Sequence, residues 1–186
     1  MVLSKAITNH STRGIKLSLS KTILALVATF PLFAAAQAVP SPTDVVPEKM
    51  PFDVPYGSPI SLDKADAMLN ASVAEAKKRN WKINCAVMDS GAHLVSFKRM
   101  DGGQIASIDI ALHKARAAVK FRRDTKILEV AIQSNPYVAT LDDVIASRGG
   151  LPIIEGDRLV GGIGCSGGTG AQDEVIAKAG LAALSK

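Results

Sequence analysis

The chain has few of the residues that build the common metal and nucleic-acid sites. Its 186 residues include two cysteines, three histidines and only 4% aromatic residues. Cys85 and Cys165 lack the near neighbours that a cysteine-rich zinc site requires. The chain also lacks a basic stripe interleaved with aromatic residues, so we expect no nucleic-acid binding.

Long hydrophobic runs are scarce as well. The apolar run at residues 22–36 follows a segment that carries four basic residues and no acidic one. Ala36-Gln37-Ala38 then supplies a small-residue cleavage site, so the pattern predicts a signal peptide over residues 1–38 that is cut after Ala38. Because the run is short and contains Pro31, we expect no membrane span and a periplasmic or secreted protein.

Loss of the leader removes most of the positive charge. The full chain carries +5, but without the four leader cations 18 basic residues stand against 17 acidic ones. The remaining 148 residues suit one domain with a sizeable core. In an oxidising compartment Cys85 and Cys165 form a disulfide only if their strands are adjacent, which the residues alone leave open.

The sequence predicts two hairpins interleaved with helices. Six prolines in residues 39–59 predict an extended arm, of the kind that wraps a neighbouring subunit, before a domain over residues 60–186. The predicted elements are a helix from the N-cap Ser61 to Arg79, strands at 83–88 and 94–100, helices at 104–120 and 125–133, a helical turn near 141–145, strands at 152–155 and 158–165, and a helix at 170–184. Alternation places residues 93, 95, 97 and 99 on one strand face. This order favours an antiparallel sheet with helices packed against it.

A glycine-rich stretch before the last helix carries the clearest motif. It matches a dinucleotide fingerprint, but only 19 residues follow Gly167, too few for the rest of that unit. It also matches a hydrolase elbow, but no histidine follows Ser166. Its backbone amides, ahead of a helix that begins with a Thr169-x-x-Gln172 capping box, form a candidate anion site. The candidate residues are Gly162, Gly164, Ser166, Gly167 and Gly168. The alternative is that the glycines only permit tight packing.

Four segments together resemble a known family. They are VMDSGAHLVSFKRMDGG (87–103), ALHKARAA (111–118), GGLPI (149–153) and VGGIGCSGGTGAQDEVIAKAG (160–180), and the series is similar to the GlcG/HbpS family of haem-binding proteins. The resemblance implies a profilin-like α/β (α+β) fold, with a central antiparallel sheet of about five strands, and assembly as homo-oligomers. It also implies haem binding, with haem degradation or iron release in some members, whereas others occur with glycolate or diol metabolism. In such a sheet the first and last strands can be neighbours, which keeps the Cys85–Cys165 pair open.

Two departures from the family pattern bear on the ligand. Ala117 stands where the family commonly has a threonine whose hydroxyl contacts haem in some members, and alanine cannot coordinate iron. Cys165 stands where the family usually has valine, which suggests a redox or packing difference. Haem binding in this chain therefore requires another ligand.

The candidate ligands form a short set. His113, on the polar face of the second helix and four residues after Asp109, is either a haem ligand or a solvated or interface residue. His93, just after the first hairpin turn, is a second metal candidate. Arg99 either binds a carboxylate, such as a haem propionate or a small organic acid, or pairs with Asp101 or Asp173. Lys114 is either an anion contact or a charge on the helix face.

These residues support three hypotheses. The first is an exported haem-binding protein that acts in haem degradation or haem and iron handling. Its haem lies either at a subunit interface or in a pocket near Arg99, His113 and the Gly161–Gly168 turn. The second is a binding protein or enzyme for a small organic acid. The third is a non-catalytic module that forms oligomers. The sequence shows no nucleophile with a correctly placed base, so the class of enzyme stays open.

Overall fold

The computed structural model describes residues 46–50 and 52–185. The elements in order are α1 (Leu62–Lys78), β1 (Asn84–Asp89), β2 (Leu94–Arg99), α2 (Ala106–Lys120), α3 (Thr125–Ser134), β3 (Gly150–Glu155), β4 (Arg158–Ser166) and α4 (Gly170–Leu181), with 3-10 helices at Pro136–Thr140 and Ala182–Ser185. The predicted signal peptide, its cleavage site and residues 39–45 of the arm lie outside the described residues. None of the described helices is long and apolar enough to cross a membrane.

The strands form one antiparallel sheet in the order β2-β1-β4-β3, which confirms the α+β fold class. The described residues contain four strands instead of the expected five or so. The last residues of the arm lie on the chain's own sheet, where Tyr56 forms an isolated parallel bridge with Leu159. The Gly57 amide donates to the Leu159 carbonyl at 2.8 Å. The arm therefore adds one bridge where β1 has ended.

The two faces of the sheet are covered unequally. Helices α1 and α4 cover one face, where Met68, Leu69, Ile163 and Ile176 belong to the larger core. Helix α2 covers the other face over a smaller core that includes Met88 and Val119. Helix α2 packs across three strands, β1, β4 and β3, so its position depends on most of the sheet.

Two glycines of β4 permit this close approach of α2. A Cβ atom on Gly162 would lie 2.7 Å from the Ala115 carbonyl oxygen, and one on Gly164 would collide with the backbone of Ala111 and Ala115. Both glycines are buried within the strand. They therefore lie against α2 instead of in the turn, and tight packing is the role that the structure gives them.

Local capping signals place the helix starts. The Ser61 hydroxyl accepts a hydrogen bond from the Lys64 amide at the start of α1. At α4 the predicted capping box is present, with Thr169 and Gln172 each accepting from the other's amide. These contacts satisfy amides that no helical carbonyl can reach, and each lies within four residues of sequence. The sequence therefore predicts both helix starts correctly.

Two local predictions are wrong. The register between β1 and β2 shifts between Val87 and Met88, which makes Val95 the extra residue of a bulge. Val95 packs against the core under α1 and α4, whereas Phe97 packs against the core under α2. A bulge breaks the alternation of side chains along a strand, so the four residues predicted to share one face do not. The helical turn after α3 lies at Pro136–Thr140, earlier than expected.

A disulfide joins the two cysteines that the sequence left unassigned. Cys85 of β1 lies directly opposite Cys165 of β4, with 4.2 Å between their Cα atoms. Both residues are buried in the larger core. The bond therefore fastens the two central strands of the sheet.

Candidate functional site

The turn before α4 has an internal acceptor for its amides. The Gly168 amide donates to one carboxylate oxygen of Asp173 at 3.0 Å, and the Thr169 amide donates to the Gln172 side chain at 2.9 Å. Asp173 lies in the first turn of α4 and is buried, where the positive end of the helix dipole favours a carboxylate. The Gly168 amide therefore binds an anion, as the sequence predicted, but that anion is the protein's own Asp173 carboxylate.

Lys114 supplies the counter-charge to this carboxylate. Its ammonium lies 2.7 Å from the second oxygen of Asp173 and donates to the Cys165 carbonyl at 3.2 Å. The Lys114 side chain is fully buried, so of its two alternatives, an anion contact and a charge on the helix face, the structure favours the anion contact. The anion that it contacts is Asp173. Lys114 therefore links α2 to the end of β4 and to the start of α4.

A cavity of about 430 Å³ lies on the outer face of α2. Its lining comprises Asp109, Leu112, His113 and Arg116 of the helix, together with Asp143 from the loop that follows α3. Leu112, His113 and Arg116 follow Asp109 by three, four and seven residues, so all of them lie near one side of α2. The cavity thus combines an imidazole, an apolar side chain, a guanidinium and two carboxylates. We call it the α2 cavity.

His113 is the unusual residue of the α2 cavity. Its Nε2 atom is enclosed and has no hydrogen-bond partner among the described residues, a condition shared there only with the Asn84 Oδ1 atom. A buried polar atom without a partner costs free energy, on the order of 1–3 kcal/mol, so such atoms are uncommon. His113 therefore keeps a nitrogen lone pair or N–H group that the described fold does not use.

Asp143, which lines the α2 cavity, forms an ion pair with α2. Its carboxylate pairs with Lys120 of α2. The hydrogen bond from Lys120 holds the pKa of the Asp143 carboxyl below its usual value against the effect of burial, and the charges of Arg116 and His113 act in the same direction. The loop after α3 is thereby fastened to the last turn of α2, beside His113.

Arg99 and His113 do not meet in one cavity. Arg99, at the end of the edge strand β2, lines a different groove of about 530 Å³ together with Lys77 of α1. Among the described residues Arg99 forms no ion pair within 4 Å, so neither the Asp101 nor the Asp173 alternative is present. Within one chain, the pocket that the sequence offered as one of two placements for haem is therefore divided between two separate cavities.

The other candidates lie apart from both cavities. The His93 side chain is 82% exposed and lies 3.5 Å from Asp89 at the first hairpin turn. Ser166 is buried at the end of β4, and Ala117 is fully buried in α2. Within residues 46–50 and 52–185, groups of three histidine, cysteine or acidic side chains able to hold a metal ion are absent. As metal or ligand contacts, His93 and Ser166 stay predictions.

The sequence grouped Arg116 with Asp109 and His113 on one face of the second helix, at spacings that let side chains meet. It assigned Leu112 to the core stripe of that helix, and it missed Asp143. Asp143 carried no usable signal, since it lies 30 positions from His113 in a loop without a periodic pattern. Its left-handed backbone, with φ of 63°, is uncommon for a residue with a side chain and marks a constrained loop.

The four-stranded antiparallel sheet, with α2 on one face and α1 and α4 on the other, defines a small α+β domain with a cavity on its outer helix. Residues 60–182 match the family model described as "Haem degrading protein HbpS-like". The chain therefore belongs to the HbpS-like family, which confirms the resemblance carried by its motifs.

Relatives and solved structures agree with this assignment. Protein GlcG of Escherichia coli K12 is 37% identical over 108 residues, which cover 58% of this chain and 81% of GlcG. A double mutant of Streptomyces reticuli HbpS has a similar structure, with a TM-score of 0.66 and 27% identity over 75% of this chain and 97% of its own. A PduOC:heme complex has a TM-score of 0.63 and 25% identity over 67% of this chain and 94% of its own.

Proposed function

We propose that this chain is an exported haem-binding protein, and that haem binds at the α2 cavity. The observation that carries the proposal is His113, which lines a cavity of suitable size and whose enclosed Nε2 atom has no hydrogen-bond partner among the described residues. Imidazole nitrogen is a common axial ligand of haem iron. Membership of the HbpS-like family and similarity to the PduOC:heme complex support the same ligand.

The remaining residues of the α2 cavity fit the other parts of haem. Leu112 would contact the macrocycle, and Arg116 would bind a propionate, for which a guanidinium is well suited. Asp109 would orient the imidazole, as carboxylates often do for ligating histidines. Because Nε2 is enclosed, the imidazole or the loop that carries Asp143 must move before iron reaches it. Bound haem would activate peroxide, the oxidant that its degradation would require, and these residues would hold it in place.

Replacing His113 by alanine should abolish the axial ligand and weaken haem binding by at least about tenfold. The measurement is a haem titration of the processed protein, followed at the Soret band, with the sedimentation mass recorded in the same samples. The wild-type protein should saturate at a defined number of haems per chain. The variant should give a shifted Soret maximum and a higher dissociation constant.

His93→Ala is the matched control, because His93 is exposed and lines neither cavity. It should bind haem as the wild-type protein does, while thermal melts show that both variants are folded. An unchanged Soret band in His113→Ala would remove that residue from the site. A featureless, non-saturating titration of the wild-type protein would contradict haem binding itself.

We also propose export and assembly into a homo-oligomer. The disulfide supports export, because buried structural disulfides form and persist in oxidising compartments. Several large apolar side chains on α3 and the segment after it are exposed, among them Ile127, Val130, Tyr137 and Leu141. Clusters of exposed apolar side chains are typical of surfaces that contact another protein. Further copies of this chain would cover them.

Export predicts a processed protein that begins at Val39. Expression of the full chain in a bacterium, followed by fractionation and intact mass measurement, should find the form without residues 1–38 in the periplasm or medium. Ala38→Leu should impair processing, because cleavage requires small residues at that site. Unprocessed wild-type protein confined to the cytoplasm would contradict the proposal.

A further inference from the structure

A second site lies at the free edge of the sheet, away from the α2 cavity. The groove of about 530 Å³ between the last turns of α1 and the edge strand β2 has four cations in its lining. They are Lys77, Lys82, Lys98 and Arg99, and we call this region the edge groove. The opposing charge in the lining comes from Asp101 alone. The lining therefore carries a net charge of about +3 by formal counting.

These four cations differ from most others in the described part of the chain. Elsewhere Lys64 pairs with Glu155, Lys120 with Asp143 and Arg148 with Glu129. Within residues 46–50 and 52–185, none of the cations of the edge groove lies within 4 Å of a carboxylate oxygen. Like charges gathered in a cleft repel one another and raise the local concentration of anions.

The helix dipole can account for only one of these four cations. Lys77 lies in the last turn of α1, where the helix dipole favours a cation. The nearby carboxylate of Glu75 is already shared by Lys78 and Arg79. Lys82, Lys98 and Arg99 lie outside any helix, so the dipole accounts for none of them.

The lining of the edge groove also has an apolar part. It comes from Val73 and Met100, which pack with the core under α1 and α4, and from Phe97, which packs with the core under α2. Apolar groups and cations in one lining suit a ligand that has an apolar body and negative groups. Arg99 adds a guanidinium, which binds a carboxylate through two parallel hydrogen bonds.

We propose that the edge groove binds a small organic dicarboxylate with an apolar body, and that Arg99 holds one of its carboxylates. This site is separate from the α2 cavity and does not rest on haem binding. Lys77, Lys82 and Lys98 supply the field that attracts the second negative charge. The chain then has two ligand sites. One lies at the β2 edge of the sheet, and the other lies on the outer face of α2.

Isophthalate is a suitable probe, because it places two carboxylates on an aromatic ring. Calorimetric titration of haem-free processed protein should give saturable binding of one isophthalate per chain, weaker at higher salt. The uncharged diamide of the same ring should bind at least about tenfold more weakly, since it loses the ionic contacts. Arg99→Ala should weaken isophthalate binding by about tenfold or more.

Lys126→Gln is the matched control. Lys126 is an exposed cation of α3 that lines neither cavity, and its loss changes the net charge as Arg99→Ala does. Isophthalate affinity should stay within about twofold of wild type in this variant, since a distant exposed charge is largely screened. Thermal melts should show both variants folded, because Arg99 is exposed and has no ion-pair partner among the described residues.

Three results would overturn the inference. They are absence of isophthalate binding, equal weakening in Arg99→Ala and Lys126→Gln, and equal affinity for the uncharged diamide. A haem titration of Arg99→Ala separates the two sites, because haem affinity should be unchanged. Loss of haem affinity in that variant would instead assign the edge groove to the propionates. Failure of the wild-type protein to bind haem would contradict the proposed function and leave the isophthalate result standing.

Discussion

Replacing Lys114 by methionine is expected to lower the free energy of unfolding by about 3–5 kcal/mol. Methionine keeps most of the length of the side chain but removes the ammonium. The Asp173 carboxylate would then lie buried without its counter-charge, since both side chains are almost fully excluded from solvent. An unpaired buried charge is costly, and this one also anchors the turn before α4 through the Gly168 amide.

Urea denaturation gives the measurement, and Lys120→Met gives the control. Lys120 belongs to the same helix but pairs with Asp143 at the surface, where such a pair contributes at most about 1 kcal/mol. The double variant Lys114→Met with Asp173→Asn should be more stable than Lys114→Met alone. Asparagine removes the buried charge and still accepts from the Gly168 amide. Equal losses of unfolding free energy in Lys114→Met and Lys120→Met would show that the buried pair contributes no more to stability than the surface pair.

Loss of the disulfide is expected to cost about 4–5 kcal/mol of stability. The bond closes a loop with a sequence separation of 80 residues, and the loss of chain entropy in the unfolded state predicts this magnitude. The measurement compares urea denaturation of oxidised protein, of protein reduced with a phosphine, and of the double variant Cys85→Ala with Cys165→Ala. Reduction isolates the cross-link, because the double variant also loses packing in the core.

The double variant is also the control for the reductant, since a phosphine should not change its stability. Thiol titration of denatured protein should find two thiols per chain only after reduction, because both cysteines are engaged. Free thiols in protein purified from the periplasm would contradict the disulfide there. A urea midpoint that stays unchanged on reduction would contradict the expected contribution of the disulfide to stability.

The sequence alone was enough to predict most elements of the fold. The capping residues Ser61 and Thr169 and the apolar periodicity of α1, α2 and α4 are local signals, in which each residue acts on neighbours within about one helical turn. The motif series added the family, and with it the antiparallel α+β architecture. The bulge at Val95 escaped prediction because it depends on how β2 pairs with β1.

Tertiary structure decided the chemistry of the candidate sites. Gly162 and Gly164 were candidates for a ligand turn until the approach of α2 to β4 gave them a packing role. Lys114 and Asp173 are 59 residues apart, and the order of the strands brings Cys85 opposite Cys165. Periodicity cannot encode such contacts, because they depend on how whole elements are stacked.

The same limit applies to the two proposed ligand sites. The sequence identified His113 and Arg99 as candidate ligands from residue chemistry alone, and it placed them together. The fold puts them in different cavities, with Asp143 beside one and Lys77 beside the other. Residue type determines which ligand a side chain can bind, whereas the packing of helices on the sheet determines which side chains can bind it together.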